Sequence, residues 1–257
     1  MSFYFASTLM WDFSVEEIFD FAKENNFSGI EFWAEQIRNR AYSPDEIKIS
    51  FEKNNLNLTL HASSWDLNLC ALNKSIRQTS VDEIKRDIDL AHFIGIDEIT
   101  VHPGRMSVAL DSFDYGARLH DSLKEICQYA HSKGIQISLE IMEKVPKEFI
   151  TSLEQVQNMA EDLMDSLKIT LDVAHCDSIE EAYDVLKNAK NLSKVHISNR
   201  RENKYHTALD DGIFDLVEIL THMQELKLPM VIEGLETGKE TKFLKRNINY
   251  LKELNLL

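Results

Sequence analysis

The stretch 135–172, IQISLEIMEKVPKEFITSLEQVQNMAEDLMDSLKITLD, decides the fold. It opens on a short, largely apolar run, Ile135–Glu140, that finishes in a carboxylate. A segment with helical spacing follows, Leu153–Asp165, and a second apolar run, Lys168–Asp172, again finishes in a carboxylate. Such runs read as parallel strands buried on both faces, and the helical segment between them is the crossover that parallel strands require. The same unit recurs in both directions. Strand candidates precede it at Ser2–Thr8, Gly29–Trp33, Asn57–His61 and Glu98–His102, and follow it at Lys194–His196 and Pro229–Glu233. Helical segments alternate with them at Val15–Asn25, Pro44–Asn54, Val81–Ile94, Asp114–Ser132, Ile179–Ala189, Ile213–Leu226 and Lys239–Leu251.

Local signals agree with these boundaries. Ser43-Pro44 ahead of Asp45-Glu46 supplies a cap, an N1 proline and an acidic first turn. Gly95 and Gly134 each stand just before a strand, where a helix ends most easily on a left-handed residue. Eight β–α units in 257 residues predict an α/β fold, a closed parallel eight-stranded (β/α)8 TIM barrel. A doubly wound open sheet would carry a glycine-rich turn after its first strand, and Thr8–Ser14 has no glycine. With no linker or composition break, the expectation is one domain over residues 1–257.

Composition narrows the function. A net charge of −15, with 44% hydrophobic and 28% charged residues, excludes a disordered tail protein and argues against a nucleic-acid partner. No apolar run is long enough to span a bilayer, and Met1–Met10 lacks the pattern of a secretory leader. Cys70, Cys127 and Cys176 are widely spaced and form no CxxC pair, which fits free thiols in a reducing, cytoplasmic setting.

In a barrel of this kind the working residues sit at the carboxyl ends of the strands. Six consecutive strands finish in His61, His102, Glu140, Asp172, His196 and Glu233, each preceded by an apolar residue. Imidazole nitrogen and carboxylate oxygen, without cysteine, are ligands for Zn²⁺, Mn²⁺ or a similar divalent ion. Without a cation, so many anionic groups converging on one axis would repel each other in a poorly solvated space.

The strings HASSWDLNL (61–69), VHPG (101–104), SLEIM (138–142), LDVAH (171–175), VHISN (195–199) and VIEG (231–234) resemble the xylose-isomerase-like barrel superfamily, in order and over nearly the whole chain. That superfamily unites sugar and sugar-phosphate isomerases and epimerases with abasic-site endonucleases of the endonuclease IV type. The resemblance implies that Glu140, Asp172, His196 and Glu233 hold one divalent ion, commonly Mn²⁺, Mg²⁺ or Co²⁺. It also implies that Glu140 and Glu233 serve as the acid/base pair around a metal-stabilised enediolate. In the endonuclease-like branch His61, His102 and Glu140 hold a second ion, a zinc. His175 matches a position that contacts substrate in isomerases and a further zinc in the endonucleases. That third zinc also takes His206 and an aspartate two residues earlier. Here the earlier residue is Lys204, a departure that speaks against abasic-site cleavage.

The expectation is therefore a metal-dependent isomerase or epimerase of a small sugar, sugar phosphate or related hydroxy-carbonyl compound, with an endonuclease IV-like zinc phosphodiesterase as the alternative. Substrate contacts are expected from His175, His206, Arg105, Trp65 and Glu31, with Arg105 the candidate for an anion. Trp11 and Trp33 join Trp65 as wall or packing residues, and Glu31 serves either the substrate or the orientation of a ligand. Ser63, Ser64 and Asn68 offer hydroxyl and amide groups to a substrate or to their own loop. The partner is a small molecule, no membrane is expected, and a homo-oligomer is left open.

Overall fold

The computed structural model describes residues 2–257 except 109 and 111; Met1, the first residue of the stretch read for a leader, lies outside them. The strands are β1 (Phe3–Ala6), β2 (Gly29–Trp33), β3 (Asn57–His61), β4 (Glu98–Val101), β5 (Gln136–Glu140), β6 (Leu167–Asp172), β7 (Leu192–Ile197), β8 (Asn199–Arg201), β9 (Lys204–Thr207) and β10 (Met230–Ile232). β1 to β7 and β10 pair in parallel, each with its neighbour in sequence, and β10 closes the ring against β1. This is the expected (β/α)8 barrel. β8 and β9 form a separate antiparallel hairpin over the mouth, within the stretch left without an element between Lys194–His196 and Ile213–Leu226.

The helices are α1 (Val15–Glu24), α2 (Ala34–Asn39), α3 (Pro44–Lys53), α4 (Lys74–Ile94), α5 (Tyr115–Lys133), α6 (Leu153–Met159), α7 (Ile179–Asn188), α8 (Val217–Leu226) and α9 (Lys242–Glu253). α4 begins two turns before the expected Val81, because the Asn73 side chain accepts from Ser75 and Ile76 N–H and caps it there. α8 begins at Val217, not Ile213, because Ile213 N–H still donates to Arg200 O and Phe214 N–H to Asn199 Oδ1 of β8. α2 is too short to leave a periodic signature. Gly95 and Gly134 do end α4 and α5 in the left-handed region, with φ of 97° and 72°. No helix among the described residues is long and apolar enough to cross a membrane.

The barrel wall has two chemically different faces. Phe5, Ile30, Leu60, Ile99, Leu139, Leu171 and Ile197 point outward and pack against helices in one large apolar cluster. Each such side chain contributes about 1.5–3 kcal/mol by leaving water. The alternate residues face the axis, and many are polar: Glu31, Thr59, Thr100, Ser138, Thr170 and Lys194, all buried. The strands are thus less uniformly apolar than their short runs suggest, alternating between a greasy outer face and a hydrogen-bonded inner one. Ser138 Oγ meets Thr170 Oγ1 at 2.7 Å and Ser193 Oγ at 3.0 Å. Ser193 is the extra residue of a bulge, since Ile169 pairs with Leu192 but Thr170 with Lys194. The bulge lets both Ser193 and Lys194 point inward.

Candidate metal centre

All six strand-end residues reach one space at the carboxyl end of the barrel. His61, Glu140, Asp172 and His196 end or lie within their strands; His102 and Glu233 stand one residue beyond β4 and β10. Donor atoms of Glu140, Asp172, His196 and Glu233 lie within 4.8 Å of one another, and all four residues are buried. His196 Nδ1 is 2.6 Å from Glu233 Oε2 and 3.6 Å from Glu140 Oε2. A second trio, His61, His102 and Glu140, shares Glu140: its Oε2 is 3.5 Å from His61 Nε2 and 3.3 Å from His102 Nε2.

A third trio, Asp172, His175 and His206, shares Asp172, whose Oδ2 is 3.4 Å from His175 Nε2 and 3.7 Å from His206 Nδ1. The hairpin delivers His206, held at φ 54°. Lys204 is exposed on the hairpin, and it is Asp172 that supplies the carboxylate of this trio.

Both oxygens of Glu140, Oδ2 of Asp172, Nδ1 of His196 and Oε2 of Glu233 are buried and make no hydrogen bond of good geometry, although the last two lie 2.6 Å apart. Buried polar atoms are nearly always paired, so a converging set of unpaired lone pairs fits a cation. The donor set, three carboxylates and an imidazole without sulfur, suits a divalent ion of the Mn²⁺, Mg²⁺, Co²⁺ or Zn²⁺ kind.

Burial alone would raise the Glu140 and Glu233 carboxyls, but nearby imidazoles outweigh it. His102 and His196 hold Glu140 well below the usual range, and His196 holds Glu233 down to about 2. Asp172 goes the other way, pushed up to about 6 mainly by burial. His175 is raised to about 9: burial would lower it, but Asp172 and Glu140 outweigh that. Its Nδ1 lies 2.9 Å from Ile141 O, which fixes the ring. Cys176, next in sequence, is buried with its thiol raised by desolvation, unlike an activated nucleophile.

The remaining predicted residues separate by depth. Trp65 (48% exposed) and Arg105 line a pocket of about 430 Å³ beside His102, together with Trp33, Glu143 and Glu148. Trp33 lies flat on His61, ring centroids 3.8 Å apart, and Trp65 stacks on Trp11. Glu31 is not at this mouth. It sits beneath His196, with Oε1 2.8 Å from Nε2 of that ring, while Oε2 accepts from Lys194 Nζ and Thr59 Oγ1. Ser64 and Trp65 N–H donate to Glu35, and Ser63 N–H to Asp87, so these groups serve the loop. Asn68 likewise holds the Arg105 backbone.

Sequence reading missed Lys194, Glu35 and Glu148. Lys194 carried a signal: two residues before an inward His196 on the same strand, it must face inward too.

Comparison with known proteins gives concordant results. An uncharacterized protein of Methanocaldococcus jannaschii, MJ1311, is 25% identical over 222 residues, covering 81% of this chain and 74% of that protein. A solved D-tagatose 3-epimerase-like protein superposes with a TM-score of 0.81 at 22% identity, over 99% of this chain and 98% of the other. The IOLI protein, solved with a bound zinc atom, superposes with the same score at 15% identity, over 100% and 97%. These two structures share the fold. A model of the xylose isomerase-like TIM barrel family matches residues 19–254, and the chain belongs to that family.

Proposed function

We propose that this chain is a divalent-metal-dependent isomerase or epimerase of a small sugar or related hydroxy-carbonyl compound. The observation that carries this reading is the converging set of buried donor atoms on Glu140, Asp172, His196 and Glu233, which make no hydrogen bond of good geometry with one another. Those four residues would hold the ion. When bound, it would polarise a carbonyl and acidify the neighbouring C–H.

Glu140 ends β5 and Glu233 follows β10, strands separated in the ring by β6 and β7, and both are held ionised. Each offers a carboxylate able to take a proton from a carbon between them, or to return one. Removal on one face and return on the other inverts the carbon; transfer between adjacent carbons isomerises. His175, fixed by Ile141 O, and the Trp33–Trp65 wall would orient the substrate, and Arg105 and His206 stand at the rim. The likeness to a D-tagatose 3-epimerase-like protein supports the reaction class, and the zinc in the IOLI protein supports an ion in such a barrel.

The test is deuterium uptake from D₂O into a panel of ketoses, followed by proton NMR with metal-loaded protein. Glu140→Gln and Glu233→Gln, shown to be folded, are expected to abolish uptake; full uptake in both overturns the reading.

The two further trios favour a second reading, a multinuclear phosphodiesterase related to endonuclease IV. Cleavage of an abasic-site duplex, lost in His102→Ala, would promote it over the first.

A further inference from the structure

The charge of the substrate can be read from what fills the rim, given the isomerase or epimerase reading above. Barrels of this fold frequently hold a phosphate group in the loops after the seventh and eighth barrel strands, on free N–H groups at a helix N-terminus, often that of a short extra helix. Here the helices that follow both strands, α8 and α9, start on the chain's own carboxylates. After β10, Glu236 turns back onto the start of α9: Lys242 N–H donates to its Oε1 at 2.8 Å and Phe243 N–H to its Oε2 at 3.1 Å. Ahead of α8, Val217 N–H donates to Asp215 Oδ1 at 3.1 Å. Each carboxylate removes donors and puts a negative charge at the end of a helix that would otherwise attract an anion.

Three cations of the rim, Arg200, Arg201 and Lys144, are committed as well. Arg200 donates to Cys176 O and lies over the Tyr205 ring. Arg201 is paired with Asp211, and Lys144 with Asp177 and Glu181. Lys204 is exposed on the hairpin, within the field of Asp211.

Among the described residues Arg105 is the one lysine or arginine lining the pocket beside His102, and it shares that lining with Asp66, Glu143 and Glu148. Burial and the neighbouring Glu143 push the Glu148 carboxyl up to about 7, so this pocket resists even its own carboxylate. The Trp33 and Trp65 faces offer what an uncharged sugar ring or chain uses instead, an apolar wall beside hydrogen-bonding groups. We infer that the substrate is an uncharged hydroxy-carbonyl sugar, without phosphate or carboxylate.

The test pairs each sugar with its own phosphate: D-ribulose with D-ribulose 5-phosphate, and D-fructose with D-fructose 6-phosphate. Deuterium uptake is measured at equal, sub-saturating concentration. In a pair that exchanges, the uncharged member is expected to be at least about tenfold faster. Faster exchange of the phosphorylated member overturns the inference.

If no sugar exchanges, the isomerase reading fails, while calorimetry with inorganic phosphate on metal-free protein still tests the charge argument. Wild type is expected to show no binding at millimolar phosphate. Glu236→Ala, which frees the Lys242 and Phe243 N–H groups, is expected to gain it. Binding by wild type, or no gain in the variant, overturns the inference.

Discussion

Lys194 and Glu31 form an ion pair sealed inside the barrel: Nζ lies 2.7 Å from Oε2, and the side chains are 1% and 0% exposed. The strands that carry them, β7 and β2, are not neighbours, so the pair spans the axis. Glu98 approaches the same ammonium at 3.2 Å. Burial favours neutral forms of both partners, yet each holds the other charged: Glu31 lies well below the usual carboxylate range and Lys194 above its ordinary value.

Breaking this pair should cost more than deleting it. Lys194→Met leaves a buried carboxylate short of its main counter-charge and is expected to lose about 3–5 kcal/mol in urea unfolding near neutral pH. The double variant Glu31→Gln/Lys194→Met carries neither charge and is expected to recover much of that loss. A double variant as unstable as the single one would show that the two residues are not energetically coupled.

The candidate metal centre makes a prediction about stability as well as activity. Divalent ion added to chelator-stripped protein should raise the unfolding midpoint, by about 2.7 kcal/mol of stability at a hundredfold excess over the dissociation constant. Asp172→Asn and Glu233→Gln should lose most of that response. An undiminished response in both would place the ion elsewhere.

Glu148 provides a pH dependence whose sign can be worked out. Its folded value of about 7 exceeds the 4.5 of the free side chain, so the folded chain holds this proton more tightly than the unfolded chain. The resulting stability is fully present below about 4.5 and is lost as pH rises through about 7. Glu148→Gln should therefore raise the melting temperature at about pH 8 and lose that advantage toward about pH 4.5. A gain that is the same at both ends would point to a cause other than ionisation.

Gly104 is held by its surroundings. Its φ is 80°, and a Cβ there would meet Asn68 Oδ1 at 2.5 Å and Leu69 N at 2.8 Å. Asn68 cannot easily give way, because its amide N–H₂ donates to Arg105 O. Gly104→Ala is expected to cost about 1–3 kcal/mol and to displace the Arg105 loop, measurable by thermal melting.

What could be read without coordinates was whatever the periodicity of the chain controls. β2 and β3 fall at Gly29–Trp33 and Asn57–His61, as the apolar runs predict, and the six strand-end residues converge because the barrel brings its strand ends together. The β8–β9 hairpin escaped notice because Asn199–Arg201 and Lys204–Thr207 are short and polar, and their buried residues, Asn199 and Thr207, are polar too and imprint no apolar pattern. It brings His206 Nδ1 to 3.7 Å from Asp172 Oδ2 with a lysine at position 204. Glu31 was visible as an unusual residue in a strand, but its partner across the axis was not, since 163 residues separate it from Lys194. Contacts of that range depend on closure of the barrel.

The aromatic wall has a consequence for observing the molecule. The chain has three tryptophans; Trp33 lies flat on His61, and Trp11 and Trp65 stack on each other at the same rim. Indole emission therefore comes entirely from one lip of the barrel, with an imidazole of the candidate centre in ring contact as a built-in quencher. Fluorescence reports on that lip, whereas backbone circular dichroism reports on the whole barrel. Any separation between the two signals during unfolding would reveal the mouth loosening before the wall.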